Sequence, residues 1–592
     1  MSKQAAEHFC TSTTLHAVPH VWAAPLKWLR RLWVLVFLVA LAAMGLHLST
    51  IVDRYYQRPV QVSKTIERKS ELKFPAVTVC NLNPMQRSKV SSEYTTLYNI
   101  ILAEDTISCD VQDLLNAKNI SKLIPESTIN LHCDKDQETA TESVYYSQPA
   151  YSNDYYNYYS MDYNFVENDK FTQNIKYLSE MSSVADLSDI TKFLLVTQDE
   201  ADKFGYTKDD LIIECSYNSL ECNMSWFKEL YSEQYGNCFV FNQGVYLNKN
   251  NDLFYAKRSG VFNGLQLTLN VNTSDYIGLY APASGVRLLI HENSAMPYPD
   301  AEGFNVPTGY KTSVAVKALH IKRLPEPFKS ACQTEIPESY QKYLEDPVTY
   351  TESACQQACR TKLVVENCGC VVVGSYYRDE YKDFLRSLYG SQCDLMNRTQ
   401  SICRKKIAEK MLAQDQPEYV CDCQPKCDEY FYDVSKSFTR WPGSQFQNLK
   451  FSHFFHTKGL SSKVGQMAIN ELKQTMRKEE QYYETEVETK FIDGEEFKAM
   501  VVDTYENMNP LKEKITQEHF NNDIVRLQVY FETMSLETIE ETEAYPLSKL
   551  FADMGGIFGL YLGISISTFL EIIQFGFLFF YKRNDVVENV QK

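Results

Sequence analysis

Ser565, Ser567, Thr568, Glu571 and Gln574 sit close together inside an otherwise apolar run at residues 554–581. Hydroxyls, an amide and a carboxylate are oxygen donors that can stand in for part of a cation's hydration shell. Ser567, Glu571 and Gln574 are spaced i, i+4, i+7 and so share one helix face. A carboxylate inside a bilayer costs roughly 3 kcal/mol unless it meets water or a partner, which makes Glu571 a functional candidate. Gly555, Gly559 and Gly563 form a stripe of small residues on which another helix can pack closely, with Gly556 beside it. A dimerisation face would account for the glycines alone, but not for the acid and the hydroxyls. As one helix the run would be about 42 Å long, too long for an upright crossing. It must tilt or break, and Gly563-Ile564-Ser565 is the natural place for a break. Unwound backbone at membrane depth is tolerated only where it lines a water-filled cavity. Two helices cannot enclose such a cavity, so the sequence predicts several copies assembled around the 553–574 face. The reading is a cation channel.

The elements that must position this face come next. Residues 32–52 form an earlier apolar run of about 20 residues, enough for one crossing. Sixteen of the 17 cysteines lie between the two runs, as do four N-x-S/T sequons at Asn119, Asn223, Asn272 and Asn397. Disulfides and N-glycans belong outside the cytosol. Lys27, Arg30 and Arg31 precede the first run, and Lys582 and Arg583 follow the second, in keeping with positive charge on the inner side. Cys10 falls where a free thiol is expected. The first run is too long, and begins too late, for a cleaved signal peptide. The expected layout is a multi-pass plasma-membrane protein embedded in lipid. Its parts are an inner tail at 1–31, a span at 32–52, an outer loop at 53–553, a span at 554–581 and an inner tail at 582–592.

The chain carries a net charge of −17, concentrated in the outer loop. That balance argues against nucleic acid as a partner and favours a surface that gathers cations. Residues 85–210 read as helical stretches of mixed charge, with Cys109, Cys133 and a tract at 145–163 thick with Tyr, Ser and Asn. Alternation of apolar and polar residues predicts strands at 261–271, 286–291 and 313–321, in one mostly antiparallel sheet. A strand at 523–533 must return to the membrane and pair with them. Ten cysteines crowd into 332–427, and pairing them from the outside in gives Cys332–Cys427, Cys355–Cys423, Cys359–Cys421, Cys368–Cys403 and Cys370–Cys393. Order alone leaves that connectivity open. Zinc would call for C-x-x-C pairs, and none of these has that spacing.

Several stretches, taken in order, are recognisable. They are Thr14-Leu15-His16; Phe74-Pro75-Ala76-Val77-Thr78-Val79-Cys80-Asn81-Leu82-Asn83; Tyr235-Gly236-Asn237-Cys238-Phe239-Val240-Phe241-Asn242; and Val365-Glu366-Asn367-Cys368-Gly369-Cys370. To these add Tyr530-Phe531-Glu532 up to Tyr545, and Asp553-Met554-Gly555-Gly556 through Gly563-Ile564-Ser565 to Leu570-Glu571. Over essentially its whole length the chain resembles the degenerin/epithelial sodium channel family. The resemblance implies a trimer of two-helix subunits, with two further copies of this chain, or of close relatives, as partners. Each subunit would carry a large disulfide-rich α+β outer domain. Its strands (about 60–84, 211–327 and 520–545) would build a palm and β-ball, with a helical finger at about 85–210, a knuckle, and a thumb at about 328–430. It implies that Gly563, Ile564 and Ser565 are the selectivity filter, that Gly559 is the amiloride-block position, and that Asp553, Gly556, Ser567 and Glu571 line the pore. It further implies gating roles for His16, Ala17, Ala552 and an aromatic contact between Tyr56, or Tyr55, and Phe328. The family's bridges fit the ladder and add Cys80–Cys238 and Cys215–Cys222, leaving Cys109–Cys133 as an extra pair. One departure is that the family's His-Gly pair reads His16-Ala17 here, which removes backbone freedom.

Members of that family answer to protons, peptides or force. Residues 55–74 contain no histidine, which weakens a proton sensor just outside the first span. Residues 432–442, ending Thr439-Arg440-Trp441-Pro442, look more like the epithelial and peptide-gated branches. The expectation is a sodium-selective channel opened by an extracellular amidated peptide of the FMRFamide type, bound within about 105–210. Acid-sensing, constitutive or force-gated channels of the same family are the alternatives, and a two-span adhesion receptor is the alternative from another class. No H-E-x-x-H, G-x-S-x-G or Gly-rich phosphate loop occurs, so no enzyme, metal site or cofactor is expected beyond permeant Na+.

Overall fold

The computed structural model describes residues 9–11, 13–90, 101, 194–244, 253–344, 349–372, 374–377, 392–393, 397–412, 419–443, 446 and 522–577. Lys27–Tyr56 is one unbroken helix of 30 residues, long and apolar enough to cross a membrane. It outruns the 32–52 expectation because its charged and aromatic flanks continue the helix at both ends. Gln57 ends it, and Arg58 turns the chain at φ 45° into the strand Val60–Arg68.

That strand meets the long return strand Ile524–Glu543, paired antiparallel from Val60 opposite Glu543 to Arg68 opposite Ser535. The chain leaving one helix and the chain entering the next are therefore zipped together by main-chain hydrogen bonds. The return strand also runs parallel to Tyr310–Lys322, which is flanked in turn by the edge strand Asp428–Arg440. Leu265–Asn270 and Ile212–Tyr217 extend the same sheet from the far end of the return strand.

The sequence predicted one sheet. The structure has two large ones, because strands such as Ala76–Asn81 are buried along their whole length and need cover on both faces. The second sheet runs Phe304–Pro307, Gly285–His291, Ala76–Asn81, Gly236–Phe241, Phe227–Ser232, Ser375–Tyr377. Val77 and Val79 turn toward the first sheet, while Ala76 and Cys80 turn toward Ala354 of the cysteine-rich region. Phe74 centres the seam between the sheets, edge-on to Tyr217 at 5.1 Å and to Phe531 at 5.9 Å. Aromatic edge contacts of this kind add about 1 kcal/mol each beyond the area they bury.

Beside the sheets stand two helices, Glu352–Cys368 and Arg398–Leu412. Thr351 caps the first by accepting from the Ala354 amide, and Gly369 closes it at φ 67°. The five outside-in bridges join this region as the spacing suggested, and Cys80–Cys238 and Cys215–Cys222 are also formed. The Cys332–Cys427 bridge joins residues 95 apart in sequence, a loop closure worth about 4–5 kcal/mol in the chain-entropy account. Cys109, Cys133, the tyrosine tract, Asn119 and most of the expected finger lie outside the described residues.

His291 is buried at the end of Gly285–His291, and its proton placement is fixed by its neighbours. Nδ1 faces the Glu292 carbonyl at 3.0 Å and so carries the hydrogen, which leaves Nε2 to accept from the Thr78 hydroxyl at 2.8 Å. Burial pushes its pKa down to about 4. The unfolded chain, with a histidine near 6.5, binds the proton first on acidification, so stability is lost between roughly pH 6.5 and 4. Thermal melts of the wild type should therefore fall across that window, and His291→Gln should flatten that part of the profile.

Candidate functional site

Leu547–Leu562 and Ile566–Phe577 are two helices meeting at a 71° bend. Taken together, the pair is apolar enough to count as one broken span. The break falls on Gly563-Ile564-Ser565, and the capping chemistry explains why. Gly563 takes the left-handed conformation at φ 68°, the usual close of a helix. Ser565 then opens the lower helix: its hydroxyl accepts from the Thr568 amide at 3.4 Å while Thr568 Oγ1 accepts from the Ser565 amide at 3.0 Å. This reciprocal pair works like a capping box. Gly-x-Ser is thus a stop signal followed at once by a start signal.

The amino-terminal tail folds up beneath the break. The His16 amide donates to the Leu562 carbonyl at 2.8 Å, satisfying an acceptor that the interrupted helix leaves over. A Cβ on Gly563 would lie 2.5 Å from His16 Cδ2, so glycine is required there twice, for its conformation and for the approach of the imidazole. On the lower helix, Glu571 Oε2 accepts from the Thr13 hydroxyl at 3.0 Å and from the Thr14 amide at 3.1 Å. Thr14 Oγ1 and the buried Thr568 hydroxyl are 2.6 Å apart. Phe9 packs on Phe575 with ring centroids 4.8 Å apart.

These contacts divide the stripe that the sequence drew as one face. Thr568 and Glu571 turn to the tail of their own chain, whereas Ser567 and Gln574 are exposed. A Cβ added to Gly555 or Gly556 would meet nothing within 4 Å, and one added to Gly559 would meet only the Ile564 carbonyl at 3.9 Å. Ala552 is exposed, and Asp553 accepts from the Tyr545 hydroxyl at 2.5 Å.

Ala17 resolves the question raised by the missing glycine. It sits at φ 66°, ψ −28°, the left-handed region, as the residue before helix Val18–Ala23. The turn that a glycine would make freely is made here by alanine, at a cost of about 1–2 kcal/mol.

Of the two tyrosines offered for the wrist contact, Tyr56 is 74% exposed, and Tyr55 is the one whose ring meets the Arg58 guanidinium that also reaches Phe328. The contact is also indirect: the Arg58 guanidinium lies 5.6 Å from the Tyr55 ring centroid and 5.7 Å from that of Phe328. A guanidinium within reach of both rings links them by cation–π attraction. Sequence reasoning missed Arg58, Thr13 and Thr14. The Arg-Pro pair at 58–59, which constrains the backbone at the membrane exit, was the available signal for the first.

Three of the sequons can be placed. Asn223 and Asn397 are exposed, with side chains accepting from the amides of Ser225 and Thr399. Asn272 is half-buried and accepts from the Ser274 hydroxyl.

Residues 9–575 match the family model described as amiloride-sensitive sodium channel. The chain belongs to that family. Among its relatives is degenerin del-1 of Caenorhabditis elegans, 23% identical over 96% of this chain and 88% of that protein. The FMRFamide-activated amiloride-sensitive sodium channel of Cornu aspersum is 23% identical over 92% of this chain and 78% of its own. Acid-sensing ion channel 1B of Danio rerio is 23% identical over 96% and 76%. This family consists of membrane channels, and the two large sheets, the cysteine-stapled helices and the broken second helix are the form that this member takes.

The tail contacts make a measurable claim. Ala17→Gly should relieve about 1 kcal/mol of backbone strain and slow hydrogen exchange across residues 13–24. Gly563→Ala should do the reverse, expelling His16 and speeding exchange in the same peptide.

Proposed function

We propose that this protein is a trimeric, sodium-selective, amiloride-blocked channel whose three second helices surround the pore and whose outer domain opens it on binding an amidated peptide. The observation that carries the channel reading is the helix break at Gly563–Ser565, polar and held from below by His16. Three such breaks around an axis would present carbonyls and the Ser565 hydroxyls to a partly dehydrated cation. The uncovered glycines at 555, 556 and 559 give the helices room to approach. Glu571, repeated in each subunit, would supply negative charge below the filter, with Thr13 and Thr14 fixing its position. Asp553, Gly556 and Ser567 would line the same path, and both tails would lie in the cytoplasm, since the amino-terminal tail meets the lower end of the second helix.

The peptide reading rests on residues, because the peptide-activated and acid-sensing relatives are equally similar to this chain. Residues 55–74 hold no histidine. Burial pushes the pKa of His291 down to about 4, so this histidine does not titrate on mild acidification. The peptide would bind within 105–210, where aromatic and acidic residues are plentiful; an Arg-Phe-amide ligand calls for both.

Recording from cells expressing the chain tests this. An inward sodium current evoked by FMRFamide and blocked by amiloride is expected, whereas a response to acid alone would replace the ligand and keep the pore. Glu571→Gln should lower unitary conductance or Na+ preference several-fold; unchanged permeation would remove Glu571 from the ion path.

A further inference from the structure

The return strand carries a carboxylate that reaches out of its own sheet. Main-chain pairing between Tyr310–Lys322 and Ile524–Glu543 ends with Lys322 opposite Glu540. One residue further on, the side chain of Glu541 takes over where the backbone leaves off. Its Oε2 accepts from the Leu324 amide at 3.0 Å and from the Ser330 hydroxyl at 2.7 Å. Leu324 and Ser330 bracket the loop at the base of the thumb, and Phe328 in that loop is the ring facing Arg58.

The same loop is tied firmly to the thumb. The Arg323 amide donates to the Cys427 carbonyl at 2.8 Å, and its guanidinium donates to the Lys426 carbonyl at 2.7 Å and to Glu429 at 2.8 Å. Cys332, just beyond, is bonded to Cys427. The loop thus moves with the thumb base. Among the described residues its side-chain contacts reach the chain leaving the first helix through Arg58 and the chain entering the second through Glu541.

Below Glu541 the path to the pore is short and stiff. The Ala544 amide donates to the Pro59 carbonyl at 2.9 Å. Tyr545 is buried, with the Arg54 guanidinium 5.4 Å from its ring centroid, and its hydroxyl bonds Asp553 on the second helix. We infer that Glu541 is a positioning residue for gating: its carboxylate is a side-chain link that transmits movement of the thumb base to the second helix, alongside the Arg58 contact with the chain leaving the first. The inference rests on the reading that the outer domain opens the pore. Two charge-assisted hydrogen bonds on one oxygen are strong enough to carry such coupling. Glutamine would keep an acceptor oxygen and most of the link; alanine would remove it.

The test compares full-length wild type, Glu541→Ala, Glu541→Gln and Ser330→Ala, each also carrying Ala552→Cys. Currents are measured at rest, in acid and with FMRFamide. Each is then divided by the current after a bulky methanethiosulfonate reagent has modified residue 552, which is expected to hold the pore open whatever the outer domain does. For the stimulus that opens the wild type, the normalised response should fall about fivefold or more in Glu541→Ala and about twofold in Ser330→Ala, with Glu541→Gln near wild type. Unitary conductance should not change, which separates a gating role from general damage to the pore. Hydrogen exchange on the purified proteins gives a second readout that needs no agonist. Glu541→Ala should speed exchange in residues 323–331 and also in 547–556, and Glu541→Gln should spare both. Normal evoked currents in Glu541→Ala, or faster exchange confined to 323–331, would overturn the inference. If no stimulus opens the wild type, the peptide reading fails, and exchange at 547–556 still decides for or against Glu541.

Discussion

A helix interrupted in apolar surroundings leaves carbonyls and amides without partners, and each one left unsatisfied costs several kcal/mol. That requirement organises the membrane end of this protein. Gly563 and Ser565 cap the two half-helices, and His16 supplies the hydrogen bond that Leu562 lacks. Once the tail is committed to that bond, Thr13 and Thr14 fall beside Glu571, and Phe9 beside Phe575. The break, the tail and Glu571 are therefore one assembly. A change in the tail at Ala17 is a change in the support of the break.

The sheet-rich domain solves a different problem, which is to hold the first helix and the broken second helix side by side from a distance. The pairing of Val60–Arg68 with Ile524–Glu543 does this directly, and the parallel strand Tyr310–Lys322 connects the same return strand to the thumb base. Sheets and bridged helices are stiff because interdigitated aromatic packing and covalent cross-links leave few alternative arrangements. Stiffness is what lets a local movement travel. Single side chains, Arg58 and Glu541, add further links from the loop at 323–331 toward the two helices.

Electrostatics fit the same division. The chain as a whole carries a net charge of −17, and an acidic surface of this kind gathers cations. His291, buried in the second sheet, is kept neutral by its surroundings, so its titration registers as loss of stability in acid and not as a signal at neutral pH. The family match gives a sodium channel, while the relatives' names differ on the stimulus.

Whatever depends on local chemistry was legible in the chain before any fold was known. Gly563 and Ser565 announce a helix break because capping preferences are properties of single residues. The nested order of cysteines from Cys332 to Cys427 suggested its own pairing, and the alternation at 313–321 announced a strand. Contacts between segments far apart in the chain were settled only by tertiary structure. Splitting the strands between two sheets depended on which faces found cover. The choice of Tyr55 over Tyr56 depended on how Arg58 turned at φ 45°. Glu571 looked like part of a continuous polar face until the tail, 558 residues away in sequence, claimed it. Helical spacing shows which residues share a face but not what comes to lie against it, because that is settled by packing energies summed over the whole fold.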